Sequence, residues 1–172
     1  VMYNDFIVVG PHEDPAQIRE SKTISEALTS IFRLQPSFIS RGDNSGTHKK
    51  ELELWHKVAV SVKEHSGKWY KETGSGMGTT LNIAAELDAY TISDRATWLT
   101  FKNKRELRIL FEGDRLLFNQ YGAVLVNPAK CPRTKIEEAK TFLNWLLSEN
   151  GQSEIQNYRV NGIQLFYPNA VR

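Results

Sequence analysis

The stretch FISRGDNSGTHKKE, Phe38–Glu51, changes character three times in fourteen residues. Phe38 and Ile39 read as the end of a buried strand, and Gly42, Asp43, Asn44 and Gly46 are turn formers. The pattern LELWHKVAV then sets Leu52, Trp55, Val58 and Ala59 on one helical face. The unit is therefore a strand, a tight polar loop and a helix. That helix is expected to run from about Thr47 to Glu64 and to begin at Ser45 or Thr47, both good N-caps. Its first turn offers backbone N–H groups without intrahelical acceptors and with a partial positive charge, a place that suits an anion.

The rest of the chain repeats the alternation. Phe6–Val9 is a continuous apolar run stopped by Gly10-Pro11, which predicts a strand buried on both faces. A helix over about Ser25–Leu34 turns Ala27, Leu28, Ile31 and Phe32 inward, with a capping box at Thr23 to Glu26. The Gly-rich HSGKWYKETGSGMGTT feeds a helix carrying Leu81, Ile83, Ala84 and Leu87. Tyr90–Ser93, Leu107–Phe111 and Ala123–Val126 read as strands. Helices follow SDRAT and close the chain over about 135–147 and 151–158. Strands alternating with helices mean an α/β fold, a mixed sheet flanked by helices, whose ligands sit at loops beyond strand ends.

Composition narrows the function classes. The charge of +2 balances 22 basic against 20 acidic side chains, so it implies neither a nucleic-acid partner nor a membrane-surface field. No apolar run approaches the roughly 18 residues of a bilayer span. VMYNDFIVVGP lacks the features of a signal peptide and reads as a strand already inside a fold, so the chain is expected to begin partway through a longer protein. The single Cys131 can form neither an internal disulfide nor a thiolate metal cluster, and it leaves the redox compartment open.

Three loops, SRGDNSGTH, GSGMGTT and SDRAT, lead into helix starts and are rich in hydroxyls or glycine. Brought to one rim they would offer the N–H groups of Gly46, Thr47, Gly78 and Thr79, the hydroxyls of Ser45, Thr47, Thr79 and Ser93, and the guanidinium of Arg41 or Arg95. Arginine's fork suits a tetrahedral oxyanion. On the other reading, Arg41 and Arg95 pair with Asp43 and Asp94 and the glycines only make turns. Sharper motifs fail. GSGMGTT has no Lys before its final Thr and wrong glycine spacing for a P-loop, and NSGTH is no G-x-S-x-G elbow. RGD abuts a buried strand, and the four His residues lack metal-ligand spacing.

Four ordered blocks, VMYNDFIVVGP, FISRGDNSGTHKKE, GSGMGTTLNIAAE and AYTISDRATWL, resemble the tungstate-binding proteins of ABC transporters, the TupA type within the type II periplasmic binding protein superfamily. The closing KTFLNWLLSENGQSEIQNYRVNGIQLFYPNA resembles that superfamily's terminal helices. The resemblance implies a non-catalytic, periplasmic or extracellular solute receptor without cofactor or metal, which hands a dehydrated oxyanion to a membrane permease. It maps anion contacts onto Arg41, Ser45, Gly46 and Thr47, then onto Gly78, Thr79 and Ser93. Asp43, Asp94 and Arg95 are expected to be structural or to act from behind these residues. Residues 1–127 would form the second lobe with its crossing strands, and 128–172 a helical segment returning to a first lobe whose opening segment is missing. Apolar faces meant for that lobe could drive dimerisation or domain swapping.

Tungstate, molybdate and sulfate are acceptor-only dianions near neutral pH, whereas phosphate is partly protonated and best served by a carboxylate acceptor, which Asp43 or Asp94 could supply if it faced the site. The resemblance favours tungstate, then molybdate. A phosphate- or sulfate-binding protein, or a regulatory module sensing an oxyanion with the same fold, is the alternative. An enzyme would need an acid, base or metal set beside the donors, and none is visible.

Overall fold

Strand β1 (Met2–Pro11) extends well beyond the apolar run that predicts it, in the computed structural model of the chain, which describes residues 1–170. Two compact units are present, one of Asp5–Phe118 and one of Val1–Asn4 with the chain from Asn119 onward. This division, after Phe118, comes before the one expected between Asn127 and Pro128.

The larger unit is built on both faces of a mixed sheet. Phe6 and Val8 of β1 join one buried cluster with Ala27, Leu28 and Ile31 of α1 (Ile24–Leu34) and with Leu54 and Trp55 of α2 (Gly46–Lys57). Ile7 and Val9 point the other way, into a cluster with Met77, Leu81 and Ala84 of α3 (Met77–Glu86) and Trp98 of α4 (Arg95–Thr100). That alternation is what a strand with no polar face requires. Strands β2 (Phe38–Ser40) and β3 (Tyr70–Glu72) are parallel, with Phe38 opposite Tyr70 and Ser40 opposite Glu72. Tyr90 makes a parallel bridge to Phe38 just before β4 (Thr91–Asp94), donating its N–H to Ser37 O (2.9 Å) while its own carbonyl accepts from Ile39 N (2.8 Å). β4 then runs antiparallel to β1, whose other edge takes β5 (Leu107–Phe111), also antiparallel. Thr23 caps α1 by accepting from Glu26 N (3.2 Å), and Glu26 accepts in turn from Lys22 N (2.7 Å).

The smaller unit pairs the start of β1 with β9 (Tyr167–Pro168), and Tyr3 stacks on Tyr167 at 5.3 Å. It also holds most of β6 (Phe118–Tyr121), where Asn119 donates to Asn4 Oδ1 (2.8 Å), and helices α5 (Ile136–Leu147) and α6 (Glu149–Asn157). A Cβ on Gly151 would fall on the Trp145 carbonyl, so only glycine lets α6 approach the end of α5 this closely. Strands β7 (Arg159–Val160) and β8 (Ile163–Gln164) form a hairpin around Asn161-Gly162, both at positive φ (52° and 77°), the residue pair that a two-residue type I′ turn demands.

Two expectations need correction. Ala123–Val126 is not a strand: it pairs with nothing among the described residues, and Val124 is 91% exposed, because the preceding residues Phe118–Tyr121 take the place beside β1. The helix expected to reach Glu64 ends at Lys57. Ala59 turns left-handed (φ 57°), its N–H donates to His56 O (3.0 Å) and Val60 N donates to Trp55 O (3.1 Å), a Schellman stop. After it, Val62–His65 forms only a short 3-10 turn.

The left-handed conformation costs an L-residue about 1–2 kcal/mol, part of which the extra chain entropy of glycine takes back. Ala59→Gly is therefore expected to raise stability by about 0.5–1 kcal/mol. Urea unfolding measures it, and a lower midpoint in the variant would contradict this account of the helix end.

Candidate oxyanion site

Ser40 ends β2, and the five residues after it fold onto themselves. Gly42 adopts φ 59° with its backbone so close to Glu72 that an added Cβ would lie 2.8 Å from the Glu72 Cβ. Arg41 donates from Nε (3.1 Å) and Nη2 (2.5 Å) to Oδ2 of Asp43, while Oδ1 of Asp43 accepts from Ser45 N (3.1 Å). Burial alone would raise the Asp43 pKa, but the hydrogen bonds from Ser45 and Arg41 prevail and hold it at about 2. Ser45 is the N-cap of α2, its Oγ accepting from His48 N (3.3 Å). Gly46 and Thr47 are thus the first two helical residues, where N–H groups have no acceptor within the helix. Asn44, left-handed at φ 59°, donates its N–H to His48 Nδ1 (3.0 Å), and His48 Nε2 is buried without a partner among the described residues.

The second loop is stitched to the first. Thr73 N donates to Ser40 O (3.0 Å), and both Ser75 N (3.1 Å) and Thr73 Oγ1 (3.2 Å) donate to Arg41 O. The Thr73 hydroxyl also meets Thr80 Oγ1 at 3.0 Å, tying the loop to α3. Gly76 caps that helix without a side chain, so Gly78 and Thr79 lie exposed in its first turn.

The third loop leaves β4. Ser93 is fully buried and donates to Asp94 O (3.0 Å). Asp94 uses both oxygens on Thr97, accepting from its N–H (2.8 Å) and its hydroxyl (2.6 Å), and so caps α4. Arg95 forks onto Asp5 (2.6 Å to each oxygen) and reaches Glu112 (2.6 Å). The Asp5 hydrogen bond, ahead of the opposing burial and the Glu112 bond, pushes the Arg95 pKa above its ordinary value. Arg95 therefore fastens α4 to β1 and the end of β5.

Parallel pairing of β3 with β2, and the parallel bridge from Tyr90 to Phe38, place the C-terminal ends of all three strands at one edge of the sheet. The first two loops touch there through hydrogen bonds, and the third leaves the neighbouring strand. That edge gathers hydroxyls, helix-start N–H groups and the Arg41 guanidinium, with Asp43 and Asp94 engaged within their own loops. The groove of about 480 Å³ along α1, lined by Gln17, Glu20 and Arg33 among others, uses none of these residues. Sequence reasoning missed Thr73, His48 and the buried Glu51. The last of these is signalled only by its four-residue spacing from Thr47, which puts both on one helical face.

Residues 1–150 match the PBP superfamily domain. Over the whole chain it is 47% identical to the tungstate-binding protein TupA of Peptoclostridium acidaminophilum, of which it covers 60%. The solved tungstate-binding protein TupA of Desulfovibrio alaskensis superposes with a TM-score of 0.81 at 44% identity, over 99% of this chain and 69% of that one. The tungstate ABC transporter structure from Geobacter sulfurreducens gives a TM-score of 0.81 at 46% identity, over 92% of this chain and 66% of that one. The chain spans between 51% and 64% of the length of the curated relatives it matches. By the residues matched and by these identities, the chain belongs to the PBP superfamily, in its TupA branch.

Proposed function

We propose that the chain is the anion-recognising part of the substrate-binding component of an ABC transporter, taking a tetrahedral oxyanion, tungstate first and molybdate next, and passing it to the permease outside the cytoplasm. The observation that carries this reading is the opening of α2. Ser45, Gly46 and Thr47 form a helix start at the strand edge, and Arg41 lies in the same loop. Helix-start N–H groups and a guanidinium are suited to a dianion that only accepts hydrogen bonds. Gly78, Thr79 and Ser93 would add donors from the neighbouring loops, Ser93 by turning its hydroxyl away from the Asp94 carbonyl. Arg41 would share or give up Asp43.

The carboxylates of the first and third loops are engaged. Asp43 serves Arg41 and Ser45, and Asp94 serves Thr97. A protonated phosphate would find an acceptor here only where Arg41 gave Asp43 up, so an anion that shares Arg41 with Asp43 favours the fully ionised form. The names of the relatives support tungstate.

Calorimetric titration with tungstate, molybdate, sulfate and phosphate tests the reading. Tungstate should bind most tightly and phosphate at least about tenfold more weakly, the order expected when a donor on the ligand is left unpaired. Equal or tighter phosphate binding would overturn it. A charge-assisted hydrogen bond contributes about 1.5–3 kcal/mol, so Arg41→Ala should cost tungstate affinity about tenfold to a hundredfold while far-UV circular dichroism stays unchanged. Undiminished affinity would remove Arg41 from the site.

A further inference from the structure

Glu51 is a carboxyl in a place where a carboxylate is poorly supported. It is 2% exposed, lies on α2 four residues after Thr47, and accepts one hydrogen bond, from Tyr70 Oη at 2.7 Å. The Ser40 hydroxyl faces the same carboxyl, as does the Trp55 indole without closing a hydrogen bond of good geometry. Among the described residues no Lys, Arg or His forms an ion pair with it.

The charged and titratable groups around it do not supply the missing cation. β3 brings Tyr70 and Glu72, the latter a further negative charge, while its Lys71 donates to Ser37. On α2 itself His48, one turn earlier, has Nδ1 occupied by Asn44. α1 and β4 pack against α2. Their charged residues are Glu26 and Arg33, and Asp94; Glu26 receives the Lys22 N–H, Asp94 caps α4, and Arg33 makes no ion pair with Glu51. A buried carboxyl without a cation favours its neutral form. Burial, set against the hydrogen bond from Tyr70 and the polar groups of Ser40 and Trp55 that face the carboxyl, pushes the pKa of Glu51 up to about 7.

The placement gives this group a consequence. One helical turn separates Glu51 from Thr47, a rise of about 6 Å, so an ionised Glu51 would set a negative charge behind the helix start that is to receive an anion. We propose that Glu51 controls the charge of the oxyanion site from behind: neutral, it leaves the donors of Ser45–Thr47 fully attractive, and on losing its proton it repels the bound dianion, so that anion binding and proton uptake at Glu51 are coupled. This rests on the oxyanion reading of the α2 opening. The sign follows: affinity is full below the pKa of Glu51 and falls as pH rises through it, by at most about tenfold per pH unit for one proton.

Tungstate titrations of the chain and of Glu51→Gln between pH 6 and 8.5, each in two buffers of different ionisation enthalpy, test the proposal. The parent should lose affinity above neutrality and take up a fraction of a proton on binding. Glu51→Gln should bind at every pH as the parent does at pH 6, with no proton uptake. Tyr70→Phe removes the hydroxyl that supports the carboxylate and should move the parent's fall to higher pH, an independent check should Glu51→Gln not fold. A flat profile in the parent, or a fall that persists in Glu51→Gln, overturns the role of Glu51 while leaving the site standing. No tungstate binding at any pH overturns the oxyanion reading and the proposal with it.

Discussion

Strand β1 has to satisfy both faces and both edges at once, and the larger unit is arranged around that demand. Phe6 and Val8 need one apolar layer and Ile7 and Val9 another, so helices must cover both sides of the sheet. Its edges are closed by β4 and β5, which leaves β2 and β3 to extend the sheet in parallel beyond β4. Parallel strands return through helices, and the loops that enter those helices necessarily gather at the strands' C-terminal edge. The donor cluster is therefore a by-product of how a strand without a polar face is buried.

The fold was legible wherever chemistry and periodicity agreed. β1 was visible as an uninterrupted apolar run, and α1 as a capping box followed by an inward face. The end of α2 was not, because the left-handed stop falls on Ala59 where a reader looks for glycine, and apolar spacing continues through Val60 and Val62. β3 escaped notice since it is three residues long and its apolar side chain, Tyr70, is followed by Lys71 and Glu72 in a run that reads as loop. Ala123–Val126 misled in the opposite direction. Its composition is that of a strand, but β propensity reflects a partner to pack on, and Phe118–Tyr121 had taken the place beside β1.

At the candidate site, position was easier to read than role. Ser45, Gly46 and Thr47 stand at a helix start because cap chemistry is local. Asp94 and Arg95 are equally local in sequence, but their partners are not. Asp5 comes from β1 and Glu112 from just past β5, so no spacing rule could show that Arg95 is engaged in fastening α4. Glu51 was hidden by a stronger prior, that a charged residue on a helix faces water. Only the packing of α2 against β3, through the Tyr70 hydroxyl, shows otherwise.

The pairing of Arg41 with Asp43 carries a consequence for ionic strength. The loop holds its own tethered counter-ion, two residues from the cation it neutralises. An anion that recruited Arg41 would share the guanidinium with that carboxylate or replace it, and no bare charge would be uncovered before the exchange. Salt screens what is lost and what is gained at this contact to similar degrees, so the Arg41 contribution would respond far less to added electrolyte than a solvent-exposed cation awaiting its ligand.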